Sequence, residues 1–151
     1  MGTQIRILGV SQYIDDIALA ALQARNEDVE KTQVNKLLEY LEATDSFTVA
    51  LYIARQVSRN YWGRGGKSLS AARLLKIIND VMSNVQEESK RKEVLRKVLG
   101  YFKWFFEVSD SLYYRNKTAF NNLIQKYSQV INNPKQPAPQ GFAVNLLTTY
   151  L

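Results

Sequence analysis

The residues Gly66-Lys67-Ser68 end as a phosphate-binding P-loop ends, at the close of the stretch "YWGRGGKS" (residues 61–68). A P-loop cradles phosphates with backbone amides and a lysine, and it asks for a further glycine ahead of Gly-Lys-Ser with four residues between. That position holds Tyr61. A P-loop also follows a buried strand, whereas the residues before this one have helical spacing and carry Arg55 and Arg59. The segment therefore reads as an interhelix loop. Gly63 is expected to end one helix in a left-handed cap, and Ser68 or Ser70 to start the next.

Other catalytic groups are scarce. The chain has no cysteine and no histidine, which removes disulfides, thiolate metal sites, a cysteine nucleophile and the commonest general base. Asp15 and Asp16 are adjacent, as are Glu87 and Glu88, so on a helix each pair diverges. No carboxylate spacing suggests a dedicated Mg²⁺ or Ca²⁺ site. The expectation is a protein that is not an enzyme, with no metal and no cofactor.

The second chemistry is a basic face with aromatic rings. At 100° per residue, Tyr52, Arg55, Arg59 and Trp62 form one stripe opposite Val49, Ile53 and Val57. The stripe leads to Arg64 and Lys67, and Arg73 opens the next helix. Guanidiniums for phosphates and rings for base stacking are the combination that binds single-stranded nucleic acid without sequence preference. The other reading is a solvated basic face with Trp62 tucked against the core. Lys92, Arg96 and Lys103 make a secondary basic cluster, where Glu88 with Lys92 and Glu93 with Lys97 suit a salt-bridged surface.

The elements that position these residues are helical. "SQYIDDIALAALQARN" puts Ile14, Ile17, Ala18, Ala21 and Leu22 on one face, with Ser11 as its cap. "EKTQVNKLLEYLEAT" repeats the pattern. Asp45 or Ser46 caps "FTVALYIARQVSRNYW", and "AARLLKIINDVMSNVQ" follows the loop. "EESKRKEVLRKVLGYFKWFFEVSD" carries apolar residues over half its wheel, which suits the central helix of a bundle or a face for another protein. Asp110 or Ser111 opens a last helix through Ile131. All three prolines lie in "NNPKQPAPQGF", which reads as a linker, and "FAVNLLTTYL" is apolar enough to dock on the bundle or on a neighbour. The fold class is all-α: a single-domain bundle of about five or six helices over residues 1–132, then a linker and apolar tail over residues 133–151.

Charge is uneven. Residues 1–45 hold 4 Lys/Arg and 8 Asp/Glu; residues 46–151 hold 16 and 6. Such asymmetry suits an anionic partner, or self-association of acidic end with basic body. The start shows no signal-peptide pattern and no apolar run spans a bilayer, so a cytoplasmic location is expected, with no membrane partner.

In its size, in "FTVALYIARQVSRNYWGRG" and in "VLGYFKWFFE", the chain resembles the small α-helical subunit of CRISPR effector complexes, type III first and type I-A next, over most of residues 30–130. The resemblance implies a non-catalytic subunit that stacks in several copies beside the backbone filament of an antiviral ribonucleoprotein, in an archaeal setting. Basic residues of such subunits line the path of the crRNA–target duplex or the displaced strand. On that basis Arg55, Arg59, Arg64, Lys67 and Arg73 are expected to meet crRNA, target RNA or single-stranded DNA. The alternative is a helical adaptor or an archaeal virus structural protein that binds other proteins through the aromatic helix and the tail.

Overall fold

A computed structural model describes residues 10–64 and 68–151. Among these residues the chain is all-helical, with no strand. A 3-10 turn at Ser11–Tyr13 leads into α1 (Ile14–Asn26). There follow α2 (Lys31–Ala43), α3 (Ser46–Ser58), α4 (Leu69–Asn84), α5 (Glu88–Arg115), α6 (Lys117–Lys126), α7 (Ser128–Ile131) and α8 (Phe142–Tyr150).

The axis of the bundle is α1, not the aromatic helix. Every residue from Ile17 to Arg25 is buried, because α5, α4 and α8 surround it. Ala18, Ala20, Ala21 and Ala24 let those neighbours approach closely. The aromatic helix α5 is the longest element, at roughly 42 Å for its length in residues. It buries Val94, Leu95, Val98, Leu99, Phe102, Phe105 and Phe106 on one side and leaves Trp104 64% exposed on the other.

Three local expectations change. Ser11 makes no capping bond. Asp110 and Ser111 do not open a helix: α5 runs on to Arg115, and Asn116 caps α6 by accepting from the Ala119 N–H at 3.1 Å. Both residues serve tertiary contacts instead, Asp110 with Arg25 at 2.8 Å and Ser111 with the Tyr150 hydroxyl at 2.9 Å. Beyond Ile131, the proline segment brings α8 onto α1 and α5. Phe142 and Leu146 enter the same core, and the Phe142 ring meets Tyr127 edge-on at 4.7 Å. The eight α-helices among the described residues exceed five or six because the last expected helix breaks at Tyr127 and the tail supplies another.

Acidic residues start several helices from a distance. Asp15 accepts from the N–H groups of Gly141 (3.0 Å) and Ala143 (2.9 Å) at the head of α8. Glu88 accepts from the N–H and hydroxyl of Ser46 at the head of α3. A carboxylate at a helix N-terminus satisfies orphan amides and complements the positive end of the dipole.

Candidate nucleic-acid interface

Helix α3 is set by Asp45, which accepts from the Thr48 N–H at 2.8 Å, and by Val49 and Ile53, both fully buried. It ends in a Schellman motif. Asn60, at φ 58°, takes the left-handed position; its N–H donates to Val57 O (3.0 Å) and that of Tyr61 to Gln56 O (2.8 Å). The left-handed cap thus belongs to Asn60, not to Gly63. Gly63 is required for a different reason. A Cβ there would stand 2.7 Å from Glu27 O, and the next residue, Arg64, donates its N–H to that same oxygen at 2.6 Å.

Of the predicted residues, Arg55, Arg59 and Arg64 are exposed along the end of α3 and the loop after it. The Arg59 guanidinium lies over the Tyr61 ring, 4.6 Å from its centroid, and Tyr61 is itself 60% exposed. Tyr52 is half-buried: its ring lies 4.5 Å from that of Tyr40, and its hydroxyl donates to Gln33 Oε1 at 2.7 Å. Lys67 lies outside the described residues.

Two members leave the stripe. Trp62 is only 1% exposed, because α3 ends before it and the chain turns it inward. Its indole N–H donates to Ser70 Oγ at 2.9 Å, so its ring is closed to a base. Arg73 is 2% exposed. It pairs with Asp16 at 2.8 Å and donates to the carbonyls of Val130 (2.7 Å), Gln136 (2.7 Å) and Asn133 (3.2 Å). Burial pushes its pKa down, and Asp16 opposes that shift. Asp16 also accepts from the Ala138 N–H at 2.9 Å. The buried Arg73, with half-buried Asp16, straps the proline segment to the bundle, and its guanidinium has no face for a strand.

The start of α4, where a P-loop would hold phosphate, is occupied by the chain's own carboxylate. Glu27 accepts from Leu69 N–H at 2.8 Å, from Ser70 N–H at 3.3 Å and from the Ser70 hydroxyl, while Gln23 donates to it at 2.9 Å. Glu27 thus holds both ends of the glycine-rich loop, with its carbonyl at Arg64 and its carboxylate at Leu69.

The secondary cluster is partly neutralised. Arg96 donates to Glu42 at 2.6 Å, and the guanidinium holds the Glu42 carboxyl below the usual carboxylate range, aided by Lys92. Asp45 is lowered as well, by its bond from Thr48 first and then by Lys92. Lys103 is half-buried on the same helix.

The acidic charge of residues 1–45 is thus largely engaged within the molecule. Asp15, Asp16, Glu27, Asp28, Glu42 and Asp45 all hold partners of this chain. Sequence reasoning missed Tyr61, which stands off the helical wheel but two residues from Arg59. It also missed Glu27, Asp15 and Asp16, whose only signal was the charge imbalance. Among the described residues no group of three or more Asp and Glu forms a metal cluster. In comparison with known proteins, no family model, no curated protein and no solved structure matches the chain.

Proposed function

We propose that the chain is a non-catalytic, nucleic-acid-associated subunit of a ribonucleoprotein assembly, of the kind formed by the small subunits of CRISPR effector complexes. It meets the phosphate backbone of RNA or single-stranded DNA through Arg55, Arg59 and Arg64, with Tyr61 as the stacking ring. One observation carries this reading: an exposed guanidinium over an exposed tyrosine, between two further exposed arginines, in a stretch with no acid from Ser46 to Arg73. Such groups attract phosphate and offer a π-face to any base.

Binding of labelled single-stranded RNA and DNA measured against salt tests it. A phosphate-driven site weakens steeply as salt rises, and Arg55→Glu with Arg59→Glu abolishes binding. Binding that ignores this double substitution would sink the proposal.

A second reading, a protein-binding adaptor, draws on Phe47 and Leu51. They stand one turn apart on α3 and are 64% and 55% exposed. It predicts no salt-dependent nucleic-acid binding, and loss of a protein contact in Phe47→Ser with Leu51→Ser.

A further inference from the structure

Beside the exposed arginines lies a groove of ≈ 400 Å³ between the end of α3, the start of α2 and the turn after α1. Its lining differs from the arginine face. Lys36 and Arg64 stand at it, but so do Asp28 and Glu30, so it offers no net charge for a phosphate. Two left-handed helix ends, at Asp28 and Asn60, adjoin it. Helix C-termini repel anions and favour donor groups.

What the groove does supply is amides. Gln33 is fixed by its bonds to Tyr61 O (3.2 Å) and from Tyr52 (2.7 Å). Gln56 gives one N–H to Gln33 at 3.4 Å, which leaves its oxygen and second proton. Among the described residues the Asn60 side-chain amide has no partner. Tyr61 lines the groove too, with one ring face under Arg59.

We infer that this groove takes the uncharged part of a nucleotide, one unstacked base with its sugar. The Tyr61 ring stacks on the base, Gln56 and Asn60 bond its edge, and Glu30 accepts from the sugar or from an exocyclic amine. Amides read base edges because they donate and accept in one plane. The phosphates on either side stay outside, on the arginines. The inference rests on the reading of Arg55, Arg59 and Arg64 as phosphate contacts and adds a base site to it.

The test is fluorescence anisotropy with a labelled RNA strand of about ten nucleotides and with the same strand made abasic. The intact strand is expected to bind roughly tenfold more tightly, the size of one stacked base. Gln56→Ala with Asn60→Gly narrows that difference, because the base edge loses its bonds while the Tyr61 ring remains, and it leaves abasic binding and its salt slope unchanged; glycine is chosen because position 60 has a positive φ. The intact-versus-abasic comparison uses the unaltered chain, so equal binding counts against the base site even if the double variant fails to fold. Equal, salt-dependent binding of both strands overturns the base site and leaves the phosphate reading standing. Binding of neither overturns both. If the strands bind equally while a nucleoside monophosphate binds and is lost in the double variant, the groove serves a free nucleotide, and the strand-bound base is refuted.

Discussion

Arg59 and Arg73 belong to one acid-free stretch of the chain, and they end in opposite surroundings. Arg59 lies over a tyrosine at the surface. Arg73 is enclosed by Asp16 and three carbonyls of the C-terminal segment. The difference teaches that a basic residue's role follows from what the distant chain brings to it. A guanidinium meeting fixed oxygens on several sides is a strut. One that faces solvent is free to take a ligand's phosphate.

The sharpest way to break this contrast is Arg73→Ala. It leaves Asp16 and three carbonyls without their cation and should cost about 3–5 kcal/mol in urea unfolding. Arg59→Ala should stay within about 0.5 kcal/mol of the parent. Equal losses in the two variants would erase the distinction.

Glu27→Gln comes next, at about 1–3 kcal/mol, because the amide keeps one acceptor oxygen where the carboxylate offered two to Leu69, Ser70 and Gln23. Trp62 emission should shift with it, since the hydroxyl that holds the indole is held in turn by Glu27. Gly63→Ala pushes a methyl against Glu27 O and should lose about 1–3 kcal/mol. Gly100→Ala is the control: a Cβ there meets nothing within 4 Å, and the α5 interior should gain about 0.5–1 kcal/mol.

In binding, the same contrast predicts that Arg59→Ala lowers the salt slope by about one phosphate contact. Titration of binding against salt reads this directly.

The smallest effect concerns Glu42 beside Arg96. Its folded pKa lies below the unfolded value, so its stabilisation is present above about pH 4.3 and is lost as pH falls through the lower folded value. Glu42→Gln should lower the neutral-pH plateau slightly, leave stability at the acid end unchanged, and so flatten the acid limb of a stability–pH profile.

Much of the fold was legible along the chain. The period of Val49 and Ile53, or of Leu74, Ile78 and Val81, marks the buried side of each helix because neighbours on a helix face recur every three or four residues. Asp45 was legible as a cap because it acts on Thr48, within its own turn. Gly63 and Asn60 were exchanged because a close backbone approach to Glu27 leaves no local trace. In the candidate site, the exposed arginines Arg55 and Arg59 lay on the outward side of the wheel, as their spacing required. Trp62 did not, since the wheel has no meaning past the last helical residue, Ser58.

What the order of residues decided alone, then, is the all-helical character, the inward face of each helix and a basic run with aromatic rings beside it. These depend on contacts within one or two turns. The packed structure decided which cations stay outside. Arg73 finds its oxygens 57 to 63 residues away, and Glu27 its amides 42 and 43 away. Contacts of that range form only when α1, α4 and the C-terminal segment close around one core, and no local periodicity carries them.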